Sequence, residues 1–190
     1  SFFINKTRLF EQSQESKIRH FEKILHEKEE KLDKEILLLI KKSSQENYEN
    51  LFRDEKNFYH NLFEDEGFLF YIYENDSLRF WTSNFAPMDA VLDSVVYKTR
   101  LIYLKNGWYE VIREKEGTKW FIGLLLLKTE YPIENKYLTN QFQDDFPLPG
   151  DVEISPSLRR SPMYSSESPF GPTLPLKGKG ALPLLSCGGT

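Results

Sequence analysis

The sequence has one cysteine, Cys187, and it lies among the last four residues. A lone cysteine excludes an intrachain disulfide framework and a thiolate metal site, and it does not fix the redox compartment. The chain also lacks a long apolar run. The longest, Phe121 to Leu127, has seven residues, whereas a membrane-spanning helix needs about 20. The sequence therefore predicts that any membrane anchor lies outside these residues.

Signatures of catalysis are missing as well. There is no Gly-rich phosphate loop, no Gly-x-Ser-x-Gly elbow and no Cys/His pair. Of the three histidines, His20 and His26 are six residues apart and do not share a helix face, and His60 is predicted on a helix surface. The adjacent pairs Asp65-Glu66 and Asp144-Asp145 fall in presumed loops and are not expected to converge on a substrate or cation. We therefore predict no enzyme activity, cofactor or metal for this chain.

A block of positive charge is also absent. The formal net charge is −4 and the pI is about 5.5, which argues against nucleic acid as a partner. The first residues, Ser1 to Asn5, are apolar and do not begin with Met. They are either a chance apolar start or the exit of a transmembrane helix encoded upstream.

A long amphipathic helix is predicted from Lys6 to Lys42, a stretch without Pro or Gly. At 1.5 Å per residue it is a rod of roughly 55 Å, so part of it should pack on the domain and part should pair with another helix or stand in solvent. The apolar seam is imperfect at Lys28 and Glu35. Both a surface helix and a dimer-forming stalk, giving a homodimer, fit this pattern. The seam residues are spaced by seven: Ile18, Leu25, Leu32 and Leu39.

A second helix is predicted after a break at Ser43 to Gln45, with Ser44 as its N-cap. It should run to about Glu64, and Gly67 is a plausible left-handed residue just beyond its end. A further short helix is predicted from Pro132 to Leu138.

Between these helices the apolar period changes from 3.6 to 2, which predicts five antiparallel strands. Asn75-Asp76-Ser77 and Asn106-Gly107 are hairpin turns, and the most apolar strand should be central. The fold class is α+β, with two helices packed on a five-stranded sheet. The predicted strands are Phe68–Tyr73, Leu78–Thr82, Val95–Leu104, Trp108–Arg113 and Trp120–Lys128.

The composition divides the chain into three parts: a helix over 1–46, a domain over 47–146 and a tail over 147–190. The tail holds eight of the ten prolines and six of the ten glycines. It is predicted to be poorly ordered apart from a strand-like Asp151–Ser155. Its abrupt onset also suggests a non-native end, such as a shifted reading frame.

Aromatic residues on the predicted strands are either the sheet core or, in part, the lining of a small-molecule pocket. Arg100 and Lys128 lie on the same strands and are either exposed ladder charges or contacts for an anionic ligand. The candidate ligand-binding residues are Trp81, Arg100, Tyr103, Trp108 and Trp120; Tyr97, Tyr109 and Phe121 complete the aromatic set.

The order of elements, together with the segments Lys105–Val111 and Leu124–Leu138, resembles the extracytoplasmic PAS-like sensor domains of the Cache class. Within that class it is similar to periplasmic input regions of two-component sensor histidine kinases of Bacteroidetes-type bacteria. The resemblance covers roughly residues 1–154. It implies a periplasmic signal-sensing domain, anchored in the inner membrane through an upstream segment. Arg100 and Trp81 are the nearest counterparts of the family pocket, and no kinase residue is carried over.

An alternative hypothesis is that the chain is a non-catalytic interaction or scaffold protein. In that case the long helix dimerises and the sheet is a docking surface.

Overall fold

The computed structural model describes residues 2–93, 96, 98–154 and 176–178, with side chains from residue 15 onward except at positions 52, 54 and 176–178. Most of the predicted tail lies outside these residues, as do Val95 and Tyr97. The described chain is an α+β protein, as predicted, with a five-stranded antiparallel sheet.

The first helix, α1, spans Phe2–Ser43. Its end is closed by side chains, because the hydroxyls of Ser43 and Ser44 both donate to the carbonyl of Ile40 at 2.9 Å. Lys41 and Lys42 lie in the last turn, where positive charge interacts favourably with the helix dipole. The predicted break after Ser43 is therefore confirmed.

The second helix, α2, spans Tyr48–Glu66. Its N-cap is Asn47, whose side chain accepts a hydrogen bond from the Asn50 amide at 2.8 Å. The predicted cap at Ser44 was wrong, since that hydroxyl closes α1 instead. The predicted end is confirmed: Gly67 has φ +76° and donates its amide to Phe63 at 2.9 Å.

The strands are, in chain order, β1 Phe68–Glu74, β2 Ser77–Trp81, β3 Leu101–Leu104, β4 Gly107–Glu116, β5 Lys119–Thr129, β6 Gln141–Phe142, β7 Val152–Ile154 and β8 Leu176–Gly178. Five of them form an antiparallel sheet in the order β2-β1-β5-β4-β3. The most apolar strand, β5, is central, as predicted, and the short strand β6 pairs with its end. A separate pair joins β7 to β8.

Two hairpin turns follow their sequence signals in different ways. Asn75 and Asp76 have φ of 48° and 63°, which is the conformation a type I′ turn requires. In the Asn106-Gly107 hairpin, Gly107 is instead the first residue of β4. A glycine is needed at this position because the neighbouring strand comes very close: a Cβ on residue 107 would stand 2.4 Å from the carbonyl oxygen of Lys128.

Two sequence-based elements differ from the structure. The strand predicted over Val95–Leu104 is shorter in the described residues, because Val96 and Lys98 are helical and β3 begins only at Leu101. The helix predicted from Pro132 is absent from the fully described stretch 131–140. There the Asn135 side chain accepts from the amides of Tyr137 and Leu138 at 2.8 and 3.0 Å, so it competes with helical hydrogen bonding.

The central strands β1 and β5 are buried on both faces. The helices cover one face, which we call the helix face, and the loop between β2 and β3 covers the other, the loop face. Side chains therefore alternate between two apolar cores. The helix-face core includes Phe68, Phe70, Ile72, Phe121 and Leu125; the loop-face core includes Leu69, Tyr71, Tyr73, Ile122 and Leu124.

The buried row of α1 packs on the helix face, where it crosses β5 over Gly123. A Cβ at Gly123 would stand 2.7 Å from Ile36 Cδ1 and 3.0 Å from Leu32 Cδ1. In the part of α1 with described side chains, the first member of the row is Phe21, whose ring centroid lies 4.7 Å from that of Phe146. Its members are Phe21, Leu25, Lys28, Leu32, Ile36, Leu39 and Ser43.

Residues 15–20 are exposed, apart from a half-buried Ile18. The helical backbone of residues 2–20 therefore continues about 28 Å beyond Phe21. The expectation that only part of the rod packs on the domain is confirmed for residues 15–43. Among the described residues, neither helix has the length and apolar character needed to cross a membrane.

Gly107→Ala should destabilise the fold more than Gly123→Ala. The new methyl at position 107 meets a backbone carbonyl, whereas the methyl at 123 meets the ends of two side chains that can rotate. We expect Gly107→Ala to lower the free energy of unfolding by about 1–3 kcal/mol and Gly123→Ala by less. Urea denaturation with unchanged m-values measures both. The reverse order would contradict this account of the close approach.

Candidate functional site

Charged side chains interrupt the apolar row of α1 where it lies over the sheet. Lys28 occupies a row position and is only 5% exposed, and its neighbour Glu29 is half-buried. In the sequence, Lys28 reads as a flaw in the seam. A charge at a seam position is nevertheless the one signal that points to a buried polar contact there.

Lys28 joins α1 to the end of α2 and to the loop after β6. Its Nζ lies 3.0 Å from a Glu66 carboxylate oxygen and 2.6 Å from Asp145 Oδ2. It also donates to the Glu66 carbonyl at 3.2 Å, which is one of the unpaired carbonyls at the end of α2. Lys31, one turn along α1, contacts the other Glu66 oxygen.

The Glu66 carboxyl is held in its charged form by these lysines. Burial by itself raises its pKa, but the hydrogen bonds and charges of Lys31 and Lys28 outweigh it, and the pKa lies below its usual range. A lowered folded-state pKa contributes stability at neutral pH, and this contribution is lost as the pH falls through that pKa.

Arg100 joins α1 to the sheet on the other side. It lies just before β3, and its guanidinium contacts Glu29 of α1 and Glu110 of β4. Glu110 is 1% exposed. Its Oε1 faces Arg100, and its Oε2 is buried without a hydrogen-bond partner among the described residues.

We call the five residues Lys28, Glu29, Glu66, Arg100 and Glu110 the helix clamp. Together they tie a single turn of α1 to α2, to the start of β3 and to β4. The contacts are charged and directional, and they add to the close fit of Leu32 and Ile36 over Gly123. The helix clamp therefore fixes the rotation and the axial position of α1 on the sheet.

The five residues predicted to bind a ligand do not converge. Trp81 pairs across the strands with Tyr71, and Trp120 with Tyr73, both on the loop face. Tyr103 and Trp108 are directly paired with each other, with ring centroids 5.1 Å apart, at the opposite edge of the sheet. Trp108 packs against the helix-face core.

The polar groups of Trp81, Tyr103 and Arg100 have partners of their own, whereas the Trp108 indole N–H is buried without a hydrogen-bond partner among the described residues. Trp81, which is 43% exposed, donates to Asn84 Oδ1 at 2.9 Å. The Tyr103 hydroxyl donates to the Glu130 carbonyl at 3.3 Å, and Arg100 belongs to the helix clamp. Lys128 is buried and donates to the Val152 carbonyl at 2.8 Å. A ligand role for the five stays a prediction.

The loop face is sealed by hydrogen bonds from buried tyrosines. Tyr71 donates to the Ser83 and Ala86 carbonyls at 3.3 Å, and Tyr73 donates to the Asp89 carbonyl at 2.8 Å. Burial is the main cause that raises the pKa of Tyr71. The β2–β3 loop is thus attached to the sheet through its backbone, and its own side chains fill the space beneath it.

Two clefts open near the β5–β6 end of the sheet. The larger, about 480 Å³, is lined mainly by charged and polar groups, including Lys128, Glu130 and Asp151. The smaller, about 230 Å³, lies between the end of α2 and β6. None of the five predicted ligand residues lines either cleft. Within the described ranges, no group of three or more His, Cys, Asp or Glu is placed to hold a metal ion.

Comparison of the chain with protein-family models, with curated proteins and with solved structures found no match.

Lys28→Met should lower the free energy of unfolding by about 1–3 kcal/mol, because Asp145 loses its charged partner and Glu66 loses one of its two. The matched control is Lys23→Met on the same helix, where the lysine is exposed and pairs with the exposed Glu27. We expect the control to change stability by less than about 0.5 kcal/mol. Equal losses in urea denaturation would show that Lys28 contributes only its apolar stem.

Proposed function

We propose that this chain is the extracytoplasmic signal-sensing domain of a membrane-bound sensor histidine kinase, and that it relays its state through α1. The fold supports this proposal. An antiparallel sheet in the order β2-β1-β5-β4-β3, with a long helix before its first hairpin, is the arrangement expected of a PAS-like sensor domain.

The observation that carries the proposal is the division of α1 into two halves. Residues 21–43 belong to the core of the domain, and residues 2–20 continue the same helix beyond it. A helix that is built into a sheet at one end and leaves the domain at the other connects the sheet mechanically to whatever precedes it. In the proposed parent, a transmembrane segment lies there, and the domain faces the periplasm.

The helix clamp is the proposed point of transmission. A change in the sheet or in the β2–β3 loop moves Arg100 and Glu110, and these residues hold α1 through Glu29. Helices at packed interfaces switch by shifts of about 1–2 Å or by rotation between two arrangements. The proposed input is a small molecule or another environmental signal acting on this sheet, and the proposed unit is a homodimer through the outer half of α1.

The phase of α1 tests this function in the full-length protein. One alanine inserted between Ser16 and Lys17, both exposed, rotates the outer helix by about 100° relative to the clamp. Seven alanines add almost two complete turns and restore the original face. We expect the single insertion to change kinase autophosphorylation in membranes by about fivefold or more, and the seven-residue insertion to change it much less.

Kinase output that is indifferent to both insertions would contradict transmission through α1. A parent gene without a transmembrane segment upstream of Ser1 would contradict the membrane-bound sensor. If the chain dimerises tightly and the full-length protein has no kinase domain, the scaffold hypothesis is favoured instead, in which the sheet is a docking surface.

A further inference from the structure

The sheet side of the helix clamp contains more carboxyl groups than cations. Arg100 contacts both Glu29 and Glu110. If both acids are carboxylates, the three side chains together carry a net charge of about −1. Two further acids, Asp33 of α1 and Glu114 of β4, interact electrostatically at its margin. An excess charge in a water-poor site is unfavourable unless one of the acids is neutral.

The geometry identifies which acid is best suited to be neutral. Glu110 is almost completely buried, and one of its oxygens has no partner among the described residues. A protonated carboxylic acid has a donor that a carboxylate lacks. With a proton on Oε2, Glu110 can donate a hydrogen bond to the Glu29 carboxylate, which contacts the same guanidinium.

We propose that Glu110 holds a proton at neutral pH and donates it in a hydrogen bond to Glu29, so that a neutral acid joins the sheet to α1. Loss of this proton at higher pH leaves two carboxylates on one guanidinium and loosens α1. The O–H bond of Glu110 breaks, and the proton passes to water along Glu29, the more exposed of the two side chains. The helix clamp is then a proton-controlled joint.

The surroundings of Glu110 support this assignment. Burial is the largest cause that raises its pKa well above the usual range, the charge of Glu29 adds to it, and Arg100 opposes it. The pKa of Asp33 is raised as well, first by burial and then by Glu114 and Glu29, again against Arg100. One guanidinium therefore does not neutralise this set of acids.

The residues paired directly with Glu110 in the sheet carry no charge: Leu101 of β3 and Leu125 of β5 are apolar. His26 of α1 lies at the exposed edge of the cluster, with its ring 3.4 Å from Glu29, the acceptor in the proposed pair.

The direction of the pH effect follows from the raised pKa. A group that binds its proton more tightly in the folded state stabilises the fold fully below its unfolded pKa of about 4.5, and this stabilisation is lost as the pH rises through the folded value. The joint is closed in acid and opens in base. The reading of this titration as a signal rests on the proposed function, whereas the titration itself does not.

The test compares the 190-residue chain with Glu110→Gln, which keeps the shape and removes the titration. We expect the folding equilibrium constant of the unsubstituted chain to fall by up to tenfold per pH unit relative to Glu110→Gln, between about pH 4.5 and the folded pKa. Glu116→Gln is the matched control, since Glu116 is an exposed residue of the same strand, and it should follow the unsubstituted chain. Hydrogen exchange should localise the loosening to the middle of α1.

A carbon-13 titration of the Glu110 carboxyl in the unsubstituted chain needs no variant and decides the case if Glu110→Gln does not fold. A midpoint near 4.5, or parallel stability profiles for the chain and Glu110→Gln, would overturn the proposal. If the midpoint is raised but the output of the full-length kinase does not depend on pH, Glu110 holds the proton but the proton has no signalling role. If the midpoint is normal but kinase output still depends on the phase of α1, the proton-controlled joint is wrong and the proposed function stands.

Discussion

The packing of α1 against the central strand is the interaction on which the rest of this structure depends. The strand β5 is apolar on both faces, and a sheet of this size can bury it only if something covers each face. The buried row of α1 covers the helix face, and the absence of a side chain at Gly123 lets Leu32 and Ile36 come close to the strand. The helix is therefore a part of the core, although much of its length lies outside it.

The helix clamp is the electrostatic consequence of this packing. The close fit of Leu32 and Ile36 over Gly123 positions the helix along β5. Lys28 and Glu29 add further constraints, because each charge has partners on a different element. Buried charges contribute little net stability when compared with apolar replacements, so their value here lies in fixing the register of the helix.

The sequence predicted most of the architecture, because the strongest local signals agree with the tertiary packing. The two long helices follow from the spacing of their apolar residues and from the absence of Pro and Gly. The turn at Asn75 and the end of α2 at Gly67 follow from turn and capping chemistry that acts within a few residues. The helix expected after Pro132 failed because propensity did not account for the Asn135 side chain, which bonds to the amides a helix would need.

The helix clamp was beyond sequence reasoning for a different reason. Arg100 and Glu110 are separated from Glu29 by about 70 residues or more of chain, and only the fold brings them together. Arg100 carries a charge on a predicted strand, which suggested a ligand contact, and nothing local indicates that its partner is a helix. Lys28 gave a hint as a charge within an apolar seam, yet the identity of its partners is a property of the assembled sheet.

Phe21 is the first buried residue in the part of α1 whose side chains the structure describes, and it is the fulcrum about which the outer part of the helix can tilt as a lever. If the outer helix stays straight, a tilt of about 5° at the fulcrum displaces its far end by roughly 2.5 Å over its length of about 28 Å. The displacement produced by a tilt of α1 is thus larger at the far end of the helix than at the edge of the domain. The displacement at the far end grows with the number of residues between Phe21 and the next rigid element. Insertions and deletions in that stretch would therefore change it.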